Sequence, residues 1–336
     1  MTPAARLMTP AGGPVPPAAR AVDALLEASV VGSFTRIGLA VRSRLLPEFT
    51  DDHRPPMLGQ VAIVTGATSG IGRAAATELA RRGAAVHFLA RDEGRAARAQ
   101  REIAEATGSR TVSYGLADLE DLDSVRAFAR DFRAGHDRLD VLIHNAGAIH
   151  PDFQTDDAGT ELTVAGQVHA PFLLTQLLRP ALLAAAPSRV ITVSSAGMYT
   201  QRLDPATLQM TASGYNGVTA YARAKRAQVA LSREWARRFP AGDIAFHAMH
   251  PGWADTPGLA AMLPGFHRVM QPLLRTPGQG ADTLIWLASA DPARLGSGLF
   301  WFDRRPRSEY RLPRTREAGP EVARRLWESI AERVPA

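Results

Sequence analysis

A doubly wound α/β fold, a mostly parallel sheet of about seven strands with helices on both faces, is the class this 336-residue sequence predicts. Three observations predict it. Short apolar runs alternate with helical stretches from Gln60 onward, the pattern of βαβ units. A glycine-rich turn separates the first apolar run from the helical stretch behind it. Finally, 46% of the residues are hydrophobic, enough to bury a full core in one large domain with appendages.

Residues 1 to 19 hold five prolines and two glycines and are expected to be disordered. From Ala21 to Leu46, apolar residues recur at three- and four-residue steps through Val22, Leu25, Leu26, Phe34, Ile37, Val41 and Leu45, which predicts an amphipathic helical extension. Its stripe suits a face of the main domain. The arginines beside it also suit an anionic membrane surface, so a peripheral membrane contact through residues 21–46 stays open. Asp51 to Pro56 reads as a linker, and residues 1–57 together make the extension. The next unit, residues 58–303, carries strands expected at Val61–Thr65, Ala85–Ala90, Thr111–Tyr114, Val141–Ile143, Val190–Val193, Ile244–Met249 and Leu299–Phe302. Residues 304–336 form a basic tail and helix.

Lysine and arginine number 39 against 33 acids, a net charge of +6. The arginines are scattered along the expected helices and read as solvated faces, densest from Arg304 to Arg316. With neither aromatic interleaving nor zinc-finger spacing, nucleic acid is not an expected partner. The absence of cysteine excludes disulfides, thiolate catalysis and Cys-ligated zinc. No apolar run is long enough to span a bilayer, and the first 20 residues lack the apolar core of a signal peptide. The expected location is therefore cytoplasmic, with membrane association left open. His247 and His250 fall on opposite faces of a strand end, and no metal site is expected.

The first strand runs into Thr65-Gly66-Ala67-Thr68-Ser69-Gly70-Ile71-Gly72 and then a helix. Glycines allow a tight turn and close backbone approach, and a helix N-terminus offers free N–H groups to a pyrophosphate. Strand before and helix after make this a dinucleotide cradle rather than a structural turn. An NAD site usually has an acid at the end of the second strand. Here that stretch reads Leu89-Ala90-Arg91, where a neutral residue and a guanidinium favour the 2′-phosphate of NADP(H) over NAD(H), although Asp92 next door leaves NAD(H) open. Further on, Lys225 stands four residues after Tyr221, on one helix face with it. It is the only lysine; every other member of the 39 is arginine. An ammonium is a compact charge that can release its proton, and a guanidinium is not, so the position looks selected for chemistry.

These motifs, in this order, resemble the short-chain dehydrogenase/reductase family over about Gln60 to Phe302. Asp118-Leu119 resembles the pair that contacts the adenine ring. His144-Asn145-Ala146-Gly147 resembles the family's Asn-Asn-Ala-Gly, with His in first place. Ser194-Ser195 ends the fifth strand, and Pro251-Gly252 with Thr256 resembles the loop that holds the nicotinamide carboxamide. The run from His250 to Gly258 and Asp303-Arg304 resemble one subgroup of that family more closely.

The resemblance implies that Tyr221 is the acid/base, that Ser195 bonds the substrate oxygen, and that Lys225 binds the nicotinamide ribose while lowering the tyrosine pKa. It implies a cofactor site of Gly66, Thr68, Ser69, Gly70, Ile71, Gly72, Arg91, Asp118, Leu119, Asn145, Ala146, Gly147, Pro251, Gly252 and Thr256 with Tyr221 and Lys225. The family's fourth catalytic position, an asparagine that helps hold a relay water, aligns with Gln167, which puts the relay geometry in doubt. A longer interval between Ser195 and Tyr221 includes an insert, Leu203 to Tyr215, expected to shape the substrate mouth. A lid over residues 253–275 is expected to offer Trp253, Leu259, Met262, Leu263, Phe266 and Met270 to an apolar pocket. The expected function is an NADP(H)-dependent oxidoreductase interconverting hydroxyl and carbonyl on a small lipophilic molecule. The alternative is a non-catalytic dinucleotide-binding sensor or scaffold, and a homo-oligomer stays open.

Overall fold

The computed structural model describes residues 15–50, 56–317 and 319–335. One sheet holds β1 (Val61–Thr65), β2 (Ala85–Ala90), β3 (Val112–Leu116), β4 (Val141–His144), β5 (Ser188–Val193), β6 (Ile244–Met249), β7 (Leu299–Phe302) and β8 (Arg305–Pro306). Their order across the sheet is β3-β2-β1-β4-β5-β6-β7-β8. The strands from β1 to β7 run parallel, and β4, β5 and β6 are buried at every residue, which is why they read as continuous apolar runs. β3 continues beyond Tyr114 because Leu116 still pairs with Ala90. The chain winds outward in both directions from β1, leaving a crevice beyond the carboxyl ends of β1 and β4.

Apolar layers cover both faces of the sheet. One gathers Phe172, Trp235, Phe246, Leu326 and Ile330; the other gathers Phe88, Leu284, Trp286 and Trp301. The helix Glu321–Arg333 joins the first layer because Val322, Leu326 and Ile330 recur every four residues along one face. Its Trp327 meets Trp235 edge-on with ring centroids 4.2 Å apart.

β8 adds an antiparallel edge that the sequence reading does not contain. Asp303 and Arg304 sit at φ 49° and 57°, the paired left-handed conformation of a type I′ turn, and Phe302 pairs with Arg305 across it. Neither residue is the Gly or Asn that marks such a turn in a sequence. Their side chains hold them there. Asp303, 1% exposed, accepts from Arg42 Nη1 at 2.8 Å and from Arg275 Nη1 and Nη2 at 2.6 and 3.0 Å. Arg304 donates to Asp282 at 2.6 and 2.8 Å and to the Glu48 carbonyl at 3.0 Å. Burial would raise the Asp303 carboxyl, but Arg275 and Arg42 prevail and lower it.

The N-terminal extension is broken into helices Pro17–Ala28, Val30–Phe34, Arg36–Leu45 and Pro47–Thr50. The first begins inside the stretch expected to be disordered, because proline fits the opening position of a helix. Residues 1–14 and most of the expected linker lie outside the described residues. The apolar stripe divides: Phe34 and Leu39 are buried, whereas Leu25 is 73% exposed and Val30, Val31 and Ile37 also face outward.

Charge does much of the docking, and the tail arginines that read as solvated are its partners. Arg42 Nε donates to Asp23 at 2.8 Å and Nη2 to Glu27 at 2.7 Å; Arg307 donates twice to Asp23 at 2.8 Å, and Arg311 to Glu27 at 2.9 Å. Burial works to raise the Asp23 carboxyl, yet Arg307 and Arg42 bring it down to about 2. Among the described residues, no helix is long and apolar enough to cross a membrane.

Candidate active site

β1 ends at Thr65, and the loop behind it opens the helix Gly70–Arg81. Gly66 at φ 70° and Gly70 at φ 57° hold left-handed conformations. Gly72 is needed for space, since a Cβ there would strike Asn145 Nδ2 and the Gly66 carbonyl. The loop after β4 locks underneath. Asn145 Nδ2 donates to the carbonyls of Thr65 and Gly66 at 3.0 and 3.2 Å, while Thr65 Oγ1 accepts from the amides of Asn145 and Ala146, both at 3.0 Å. The loop after β6 closes the ring, with Thr256 Cγ2 3.2 Å from where a Gly70 Cβ would be. Ser69 makes no side-chain cap, so the helix opens without a side-chain acceptor on its first amides, a donor set that fits a pyrophosphate.

These loops surround one cavity of about 850 Å³. Every residue expected to hold a dinucleotide lines it except Gly72, which sits behind the wall as packing. Ser195, Tyr221, Lys225 and Gln167 line the same cavity.

Ser195 follows β5, and Tyr221 and Lys225 share the helix Gly217–Arg238, which Asn216 caps by accepting from Thr219 N at 2.9 Å. Lys225 is 2% exposed; its Nζ donates to the Val193 carbonyl at 3.0 Å and to Gln228 Oε1 at 3.1 Å, and lies 5.4 Å from the Tyr221 ring centroid. Burial brings the Lys225 amine down to about 7. Burial likewise pushes the Tyr221 phenol up to about 12, against a hydrogen bond with Ser195 that lowers it. The expectation that Lys225 depresses the tyrosine is therefore not met by the protein alone. Burial dominates, and in the protein alone the phenol keeps its proton at neutral pH.

Gln167 occupies a π-helical stretch, Ala165–His169. Its Nε2 donates to the Ala148 carbonyl at 2.6 Å, and its buried Oε1 has no partner among the described residues. A Cβ on Gly147 would lie 3.1 Å from that oxygen and 3.2 Å from Lys225 Nζ, so the acceptor and the amine converge at the cavity wall. Lys225 Nζ retains one N–H, a donor that suits a hydroxyl such as a cofactor ribose carries. His144 stands behind them. Its Nε2 is 2.8 Å from Thr175 Oγ1, which itself donates to the Pro171 carbonyl, so the imidazole donates, and Nδ1 has no partner among the described residues. Burial, then Lys225, push His144 down to about 3, leaving it neutral.

The substrate side departs from expectation in several places. Trp253, Leu259, Met262, Leu263 and Phe266 line the cavity, and Met270 does not. Nor does any residue of the insert 203–215: its Leu203 and Leu208 turn into the core, and Tyr199, Thr200, Gln201 and Val218 take the place at the mouth. The extension and the tail supply walls that the sequence reading missed, Val30 and Phe34 from one, Arg311 and Leu312 from the other. The Phe34 ring lies edge-on to His250, Phe302 and Trp253 at 4.6, 5.4 and 5.7 Å, beneath the Arg311 guanidinium at 4.7 Å. Its carbonyl accepts from Trp253 N at 2.8 Å, joining the extension to the first residue of the lid. No spacing rule announces such a wall. Among the described residues, no group of three or more His, Asp or Glu could hold a metal ion.

A family model described as short chain dehydrogenase matches residues 60–264. The chain is 40% identical over 275 residues to dehydrogenase/reductase SDR family member 12 of Homo sapiens, covering 82% of this chain and 86% of that one. It is 33% identical over 279 residues to retinol dehydrogenase 11 of Mus musculus, covering 80% and 84%. The solved structure of an Escherichia coli CFT073 protein complexed with NADPH aligns with a TM-score of 0.61 and 26% identity, covering 75% of this chain and 99% of that one. A Rossmann-type sheet, a glycine cradle and these relatives together identify the chain as a member of the short-chain dehydrogenase/reductase family of oxidoreductases.

Proposed function

We propose that this oxidoreductase uses NADP(H) to interconvert a carbonyl and a hydroxyl on a small lipophilic molecule, with Tyr221 as the acid/base. The observation that carries the reading is the convergence of Ser195, Tyr221 and Lys225 on a cavity that shares the glycine cradle and an apolar wall. When bound, the reduced nicotinamide supplies the hydride. Ser195 and Tyr221 then both face the substrate oxygen, and the Tyr221 O–H breaks as that oxygen takes its proton. A phenol held near 12 keeps that proton at neutral pH, which suits reduction. The tyrosinate left behind is stabilised by the protonated fraction of Lys225, half-populated near pH 7.

The preference for NADP(H) rests on Arg91 and Arg95, exposed guanidiniums that line the cavity beside Ala90. The nearby acid does not compete well for a ribose, because the Asp92 carboxylate caps its helix by accepting from Arg95 N at 2.7 Å. A lipophilic substrate suits Trp253, Leu259, Met262 and Phe266. NADPH consumption measured against ketones, aldehydes and quinones tests the proposal. Turnover should appear with an apolar carbonyl and fall by about 10²–10⁴-fold in Tyr221→Phe with NADPH binding retained. Equal rates in wild type and variant would sink it.

A further inference from the structure

Gln228 stands three residues after Lys225, one helical turn on and on the same side, and is 4% exposed. Its two amide ends are committed in opposite directions. Oε1 accepts from Lys225 Nζ at 3.1 Å, and Nε2 donates to the main-chain carbonyl of Gln167 at 2.5 Å. That carbonyl lies in the π-helical stretch, where Pro171 four residues on has no N–H to offer, and the side chain from the neighbouring helix donates to it. On the other end, Lys225 has Val193 and Gln228 as fixed acceptors, which leaves one N–H for the cavity.

We propose that Gln228 is a positioning residue that clamps Lys225 to the Gln167 carbonyl, aims its free N–H at the cavity, and closes the inner side of the site to proton exchange. The proposal rests on the reading of Tyr221 and Lys225 as the working pair. An amide accepts at oxygen and donates at nitrogen without handing a proton from one to the other, unlike a water or a carboxyl group. Proton traffic at Lys225 is thereby confined to the Tyr221 side. The family resemblance implies a relay water held near residue 167; here the Gln228 amide itself links Lys225 to the Gln167 carbonyl.

Because Lys225 is the only lysine, full-length protein grown on lysine carbon-labelled at Cε gives a single side-chain NMR signal that reports its titration directly. The groups facing it titrate elsewhere, His144 on β4 at about 3 and Tyr221 on the same helix at about 12. Gln228→Leu removes the acceptor and should lower the Lys225 midpoint by about one pH unit, shifting the pH profile of NADPH-dependent reduction with it and cutting kcat about tenfold. Gln228→Glu keeps the shape and adds a charge; it should raise the midpoint by about one unit or more. Gln228→Asn, one methylene short of bridging both groups, should fall between wild type and Leu. Unchanged midpoints in folded Leu and Glu variants would overturn the clamp, as would a loss of kcat with the lysine signal unmoved. Should wild type reduce no carbonyl, the functional reading fails while the NMR titrations still decide whether Gln228 holds Lys225.

Discussion

On the cofactor side of the cavity, the loops after β1, β4 and β6 meet through backbone groups and small side chains such as Thr65 and Asn145. On the substrate side, Phe34, Tyr199, Trp253 and Arg311 arrive from segments far apart in the chain and meet through rings and a guanidinium. The difference is one of tolerance. A cradle closed by amides admits little change, because a single methyl on Gly72 collides with Asn145. A wall of rings can be repacked at moderate cost, provided the buried charges behind it stay paired. The first region is suited to a ligand held in one fixed pose, the second to one whose shape can change.

The sharpest test of that contrast is Lys225→Arg. The charge survives, but a planar fork does not fit between the Val193 carbonyl and Gln228, so kcat should fall by about 10³-fold, with a stability loss of about 1–3 kcal/mol from overpacking. Steady-state kinetics beside thermal melts check it, and a tolerant Lys225 would erase the distinction between the two sides. Asp303→Asn, on the substrate side, should do the reverse. It leaves Arg42 and Arg275 buried without their shared carboxylate, costs about 3–5 kcal/mol of stability, and raises substrate KM while NADPH affinity holds. Denaturant melts and NADPH titration separate those effects.

Acid should attack the two regions in different windows. His144, His169 and His247 are held by burial at about 3, 4 and 3, below the ordinary histidine value of 6.5, so the unfolded chain binds more protons than the native one between those limits. Stability then falls as pH drops below 6.5, by up to about 1.4 kcal/mol per pH unit for each histidine. Asp23, lowered from 3.8 to about 2, begins to release its arginines only below 3.8. Global unfolding followed by near-UV circular dichroism should therefore precede undocking of the extension followed by proteolysis; cleavage within residues 17–45 of still-folded protein at pH 5 would contradict this order. Phe34→Leu is the mildest change. Loss of the ring beneath Arg311 should cost about 1 kcal/mol and widen the range of carbonyls accepted, read as altered KM ratios across a panel.

What could be read from the sequence follows the same division. The glycine loop and the Tyr221–Lys225 pair were legible because their chemistry fixes residue types at fixed spacings, and Ser195 through the resemblance that those motifs carry. Strands such as β6 were legible from continuous apolar runs. Phe34 was visible only as one apolar residue in a stripe, since nothing local distinguishes a cavity wall from core packing. The Asp303–Arg304 turn was hidden because the force that holds it comes from Arg42 and Arg275, not from a residue with its own left-handed preference. Gln228 was within reach: a polar residue one turn from a buried lysine, on the same face, needs a partner.

Arg42 and Asp303 are separated by 261 positions, and that distance has a meaning in time. At about 5–20 residues per second, a ribosome finishes Arg42 on the order of tens of seconds before it reaches Asp303. During that interval Arg42 has Asp23 and Glu27 within its own segment but not Asp303, Arg307 or Arg311 to receive them. The glycine loop and Tyr221 both leave the ribosome before that carboxylate does. The extension is thus made before the cradle but seated after it, and the pocket acquires the wall bearing Phe34 only once Asp303 has been made.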